Sequence, residues 1–162
     1  MSHAGSREIA SEEEGKKFIS EQYGGWKQGL SKDQSAAIDF YQSPGYQLMN
    51  GQLRGQTVDA PKKDLDRAAK ASKDLQSAID SAPPLKEALT VWRGFSTDQF
   101  AGGLKVGSII HDKGFTSTSI HRAGAGSFSG QGRQATARIW LPSGTRAAGG
   151  SVKELVLSAG SK

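Results

Sequence analysis

An α+β fold is what this sequence predicts, and three observations carry the expectation. Apolar residues in the first half recur at helical spacing behind clear helix-start signals; in the second half the period shortens toward alternation; and the change falls at one place, after Pro83-Pro84. Helices segregated from strands in this way argue against a doubly wound parallel sheet, in which the two alternate along the chain.

The helices can be placed from their ends. Ser11-Glu12-Glu13-Glu14 and Ser31-Lys32-Asp33-Gln34 both fit the capping box, in which a hydroxyl and a carboxylate or amide three residues on satisfy free amides at a helix start. Two helices are therefore expected to begin there. The second runs through Ala36, Ala37, Ile38 and Tyr41 until Pro44-Gly45 breaks it, and a third carries Tyr46, Met49 and Leu53 on one face. A fourth follows Pro61, with Leu65, Ala68, Ser72, Leu75 and Ile79 at helical spacing, and Pro83-Pro84 ends it. Beyond that point Leu89, Val91 and Arg93 share one strand face, and Ala135, Ala137, Ile139 and Leu141 share another. Gly102-Gly103, Pro142-Ser143-Gly144 and Gly149-Gly150 punctuate the strands.

With 162 residues, 35% of them hydrophobic, the chain is expected to form one domain over residues 9–162, after a disordered start at 1–8. It has no cysteine, so disulfides and thiolate metal sites are excluded. No apolar run approaches membrane-spanning length, and the first residues lack the hydrophobic stretch of a signal peptide, so no membrane association is expected. A net charge of +5 permits an anionic partner such as nucleic acid, but the Lys and Arg are scattered and form no stripe interleaved with aromatics. His111 and His121 lie near Asp112 and several serines; a hydrolase triad would need its nucleophile on a sharp turn, and Ser117 to Ser119 read as strand. The three histidines have no metal-ligand spacing, and no metal is expected.

Three segments carry the chemistry: Trp92-Arg93-Gly94, then Gly114-Phe115-Thr116-Ser117-Thr118-Ser119, then Lys153-Glu154-Leu155-Val156-Leu157. Each puts a polar residue inside or beside a stretch that otherwise reads as buried strand. A permanently charged fork, a hydroxyl cluster and a single Glu suit a ligand with an anionic centre and a reaction that builds positive charge on a sugar. Structural readings stand beside this one: Arg93 as a strand-end ion pair, the hydroxyls as ordinary strand residues, Glu154 as a solvated edge residue. The glycine-rich run from Gly124 to Arg133 lacks the strand-to-helix setting of a dinucleotide fingerprint.

The order of these segments resembles the mono-ADP-ribosyltransferase exoenzyme family, the cholera-toxin-like branch that includes the C3 exoenzymes and the actin-modifying binary toxins. In the first half, Ala36-Ala37-Ile38-Asp39-Phe40-Tyr41, then Tyr46, then Asn50-Gly51-Gln52-Leu53-Arg54, is similar to that family's helix and the segment after it, so the resemblance spans roughly residues 12 to 160. It implies two packed, mainly antiparallel sheets forming an NAD cleft, with N-terminal helices beside it. NAD would be a substrate, split at its glycosidic bond. ADP-ribose would pass to a macromolecular acceptor of a host or competitor, a protein or a nucleic acid such as RNA. The resemblance further implies a monomer, secreted or injected to act in the cytoplasm of the target cell and countered by an immunity or antitoxin protein.

Residue by residue, the resemblance implies that Arg93 holds the NAD phosphate next to the nicotinamide ribose and that Gly94 offers backbone groups to the nicotinamide amide. Ser117 would orient the catalytic Glu, with Thr118 and Ser119 completing the NAD-binding set by bracing strand and pocket. Glu154 would accept a hydrogen bond from the ribose 2′-hydroxyl and stabilise the oxocarbenium-like transition state. Phe128 would pack against nicotinamide or anchor its loop. Asn50 and Arg54 would meet the adenosine or phosphate side of NAD, or else cap and pair on their helix. In acceptor recognition the chain departs from the family, which usually carries Glu or Gln two residues before the catalytic Glu; here the position is Val152. An aliphatic side chain cannot deprotonate a guanidinium. A different acceptor, an attenuating substitution, or a role for Lys153 or Ser151 would each explain it. Family members usually continue past the equivalent of Ala159-Gly160-Ser161 into a last strand. Other readings of the chain are an NAD glycohydrolase, a degenerate transferase serving as a binding module, and a basic domain that binds nucleic acid.

Overall fold

The computed structural model describes residues 5–96, 105–122, 134–151 and 153–161. Phe128 and Val152 lie outside the described residues.

Four helices come first: α1 (Glu12–Gly29), α2 (Lys32–Phe40), α3 (Tyr46–Leu53) and α4 (Lys62–Asp80). At α2 both halves of the capping box form, Gln34 N donating to Ser31 Oγ (3.1 Å) and Ser31 N to Gln34 Oε1 (3.0 Å). At α1 only the hydroxyl half forms, because Glu14 accepts from Ala10 N (3.0 Å) instead of Ser11 N. Between α2 and α3 the kink Tyr41–Gly45 interrupts the helical path. Its cause is local: Ser43 precedes Pro44 and is driven to an extended ψ of −178°, since the proline ring crowds the helical conformation of the residue before it. The Ser43 hydroxyl donates to Phe40 O (2.6 Å) and accepts from Gly45 N (3.1 Å), satisfying groups the broken helix leaves free.

The strands β1 (Leu89–Ser96), β2 (Thr116–Ser119), β3 (Gln134–Leu141), β4 (Ala148–Gly149) and β5 (Glu154–Leu157) form an antiparallel sheet in the order β3-β1-β2-β5-β4. Helices followed by strands give the expected α+β architecture. β3 pairs along the whole of β1, from Leu89↔Leu141 to Ser96↔Gln134, and β2 along the whole of β5. Between β1 and β2 a single pair, Trp92↔Ser119, joins them. The sheet is thus two leaves, β3-β1 and β2-β5-β4, hinged at one register position.

The segment before α1 is bound, in contrast to the disorder expected through residue 8. Arg7 N donates to Ala88 O (2.8 Å), Thr90 N donates to Arg7 O (2.9 Å), and the Ser6 and Thr90 hydroxyls meet at 2.8 Å. Its partners are backbone groups about 80 residues away, which local periodicity cannot reveal.

Alternation along β5 divides the core. Leu155 and Leu157 pack with Leu89, Val91 and Ile120 against Phe18, Ile19 and Tyr23 of α1. Val156 points to the opposite face and packs with Phe115 against Ile38, Tyr41, Met49 and Leu75. Trp26 touches both clusters. The sheet is covered on both sides.

Candidate active site

Ile120 N donates to Lys153 O (3.0 Å), so even-numbered residues of this strand turn their amides to β5 and odd-numbered ones turn theirs toward β1. Ser117 O is therefore aimed at β1, two residues beyond the last pair between those strands. The Arg93 guanidinium supplies the donor that β1 does not: Nη1 donates to Ser117 O at 2.7 Å. Arg93 is half-buried, continuing the apolar file Leu89–Val91 to the point where the leaves separate. Gly94 beside it is buried and paired with Thr136.

The side chain of Ser117 donates to Tyr41 Oη (3.0 Å), and Tyr41 Oη donates to Phe115 O (3.3 Å). Burial raises the Tyr41 phenol above its ordinary value; hydrogen bonds from Ser117 and Asn50 and the charge of Arg93 oppose the rise, and the charge of Glu154 adds to it. Tyr41 thus stays a neutral phenol, between the positive and the negative member of the site. The Ser117 hydroxyl, expected to orient Glu154, is spent on Tyr41. Glu154 is reached by a different residue, Gln42, whose Nε2 donates to Oε2 at 3.0 Å. Half-exposed at the start of β5, Glu154 is fixed by its backbone as well: its N–H donates to Ser151 O (3.1 Å) and its carbonyl accepts from Gly150 N (3.0 Å), closing the turn that precedes it. Lys27 Nζ donates to Gly150 O from α1. Burial lowers the Lys27 ammonium below the usual lysine value, with Asp39 opposing.

Thr118 and Ser119 are buried at 0% and 2% exposure. Thr118 Oγ1 donates to Leu155 O (2.8 Å), and Ser119 Oγ donates to His121 O (2.6 Å) and accepts from His121 N (3.2 Å). They brace the strand through these bonds. Asn50 is likewise structural: at 4% exposure its Oδ1 accepts from Phe115 N (2.8 Å) and its Nδ2 donates to Phe115 O (3.2 Å). Its amide is thus engaged with Phe115 and forms no helix cap. Arg54 grips Asp112 with two parallel bonds, Nε to Oδ1 (2.9 Å) and Nη2 to Oδ2 (2.8 Å), while Asp112 also accepts from Gly114 N (2.9 Å). The Arg54 hydrogen bonds hold the Asp112 carboxyl below the usual aspartate value, with Gly114 and the charge of Arg93 assisting. The same pairing raises Arg54.

Gln42, Asp112 and Lys27 are the residues that sequence reasoning missed. Asp112-Lys113-Gly114 carried a usable signal, an Asp two residues before a turn glycine whose amide it binds. Gln42 carried none, since an exposed-looking polar residue after a helix is ordinary.

The arrangement brings a guanidinium and a carboxylate held by a neutral amide to one end of the strands. Among the described residues Glu154 has no ion-pair partner.

Comparisons with known proteins point the same way. The family described as ADP-ribosyltransferase exoenzyme matches residues 15–158. Exoenzyme T of Pseudomonas aeruginosa is 31% identical over 97 residues, 59% of this chain, and the match covers 20% of that protein. Among solved structures, the ADP-ribosylating component of a C. perfringens binary enterotoxin, solved with NADH, superposes with a TM-score of 0.73 at 20% identity, covering 93% of this chain and 41% of its own. The C3 exoenzyme of Clostridium limosum gives 0.69 at 15% identity, covering 96% and 85%. With its fold shared across those toxins and its sequence matched from the first helix through the strand of Glu154, this chain belongs to the ADP-ribosyltransferase exoenzyme family.

Proposed function

We propose that this domain splits NAD and transfers ADP-ribose to a macromolecule of a target cell. The observation that carries the reading is the convergence of Arg93, Ser117 and Glu154 from three strands: Arg93 holds the Ser117 carbonyl, and Arg93 and Glu154 both act on the Tyr41 phenol that Ser117 binds.

Arg93, freed at the parting of the leaves, is suited to grip a phosphate beside the nicotinamide ribose through its planar fork. Gly94 lets the ligand approach the backbone closely. The bond from ribose C1′ to the nicotinamide nitrogen breaks, and nicotinamide leaves neutral with the bonding pair. Positive charge spreads over C1′ and the ring oxygen; Glu154, accepting from the 2′-hydroxyl, stabilises it. A nucleophile of the acceptor then bonds to C1′ and gives its proton to solvent. Lys153, on the turn before Glu154, lies on the acceptor side in this reading, and the aliphatic residue that the sequence has two positions before Glu154, Val152, argues for an acceptor other than arginine.

The test is to incubate the protein and its E154Q variant with NAD labelled in the adenosine half and a cell lysate, following nicotinamide release and label together. Wild type should release nicotinamide and label a macromolecule; Glu154→Gln should abolish both while NAD affinity stays within roughly a few-fold, because the carboxylate acts where charge develops. Loss of binding alone would remove Glu154 from catalysis. Nicotinamide release with all label left as free ADP-ribose would make the protein a glycohydrolase, and the sensitivity of labelled product to protease or to nuclease assigns the acceptor class.

A further inference from the structure

We infer that Gln42 is the positioning residue for Glu154, an inference that rests on the catalytic reading of Glu154 and adds the device that aims it. A carboxylate only accepts hydrogen bonds, so the amide nitrogen of Gln42 must face it, and the 3.0 Å contact is charge-assisted. It engages Oε2 alone and leaves the other oxygen for substrate. Consecutive residues of a helix diverge by about 100°, and at Tyr41–Gly45 the interrupted helix turns two neighbours toward two strands: Tyr41 to Ser117 of β2 and Gln42 to Glu154 of β5. One dipeptide thereby sets the spacing of the hydroxyl and the carboxylate.

Gly150 supplies the room. A Cβ built on it would collide with Gln42 Nε2, with Cδ at 3.3 Å and Glu154 Cβ at 3.6 Å, while its φ lies outside the left-handed range. Glycine is needed there for space and not for backbone conformation. Lys27 closes the arrangement by holding the Gly150 carbonyl from α1. Gln42 and Lys27 thus fix both ends of the turn that carries the catalytic carboxylate.

The experiment measures nicotinamide release by Q42M, which keeps the reach and removes the donor, by G150A, which displaces the donor sterically, and by the double variant. Each single change should lower kcat about tenfold through loss of the charge-assisted bond and of aim, with KM for NAD unchanged. Because both act on one contact, the double variant should be no slower than the slower single one. A structural role would instead move the melting temperature and give losses that multiply. Q42M replaces an exposed contact and should melt with the wild type. An unchanged kcat in Q42M, or multiplying losses, would overturn the inference while E154Q remained inactive; an active E154Q would overturn the reading of Glu154 along with it.

Discussion

Arg54 and Asp112 form the best-aligned ion pair of the described residues, and their linkage to pH has a definite sign. Asp112 is held below the usual aspartate value by Arg54, by Gly114 and by the charge of Arg93. A carboxyl depressed in the folded state contributes stability that is present above its unfolded value and is lost as pH falls through the folded one. With side chains 35% and 28% exposed, the bidentate pair is worth about 1 kcal/mol, the upper end for partly solvated pairs. Asp112→Asn should therefore lower stability by about that much at neutral pH, and the difference from wild type should vanish below the normal aspartate range. Urea unfolding from pH 7 to pH 2 measures it, and a difference that persisted at the acid end would show that the pair is not its source. Asn50 contrasts with this pair. Both ends of its amide are committed to Phe115, which makes it a part of the wall against which the site is built.

At the scale of elements, α1 docks through Tyr23, and the fit is close enough to test. Tyr23 is fully buried, its ring packs edge-on against Phe18 and Trp26, and a Cβ on Gly149 of β4 would lie 2.6 Å from its Cγ. Gly149→Ala should cost about 1–3 kcal/mol by overpacking, whereas Tyr23→Phe should be neutral or stabilising, because the hydroxyl is buried without a partner and burial pushes its pKa up. Thermal unfolding of both variants decides: an equal loss in the two would mean that the hydroxyl has a partner. Elements of this kind were legible in the sequence where the cause is local. Ser31 and Gln34 mark a helix start through their own bonds, Pro44 sets the kink through Ser43, and alternation from Leu89 marks β1. What the sequence did not disclose is long-range. Gln42 meets Glu154 across 112 residues and Arg7 meets Ala88 across the fold, and no periodicity records such meetings. Family resemblance pointed to Arg93, Ser117 and Glu154, but not to the partners they take: the Ser117 hydroxyl on Tyr41 and the Gln42 amide on Glu154.

In the whole molecule the decisive feature is that the sheet is hinged at Trp92↔Ser119 and that Arg93 spans the opening. In the proposed function Arg93 has two roles that can be separated. Its bond to Ser117 O stitches the leaves together, which any donor of similar reach can do; the grip on a phosphate needs the planar fork, which an ammonium lacks. Arg93→Lys should therefore keep the stability of the free protein within about 1 kcal/mol of wild type, the worth of one hydrogen bond, and lose most of the stabilisation that saturating NAD confers. Arg93→Ala should lose both, since it leaves the Ser117 carbonyl without a donor. Ligand that binds only the folded state stabilises by RT ln(1 + [L]/Kd), about 2.7 kcal/mol at a hundredfold excess over Kd, so the comparison needs only unfolding curves of the three proteins with and without NAD. A Lys variant stabilised by NAD as fully as wild type would leave Arg93 as a stitch between leaves and place phosphate recognition elsewhere.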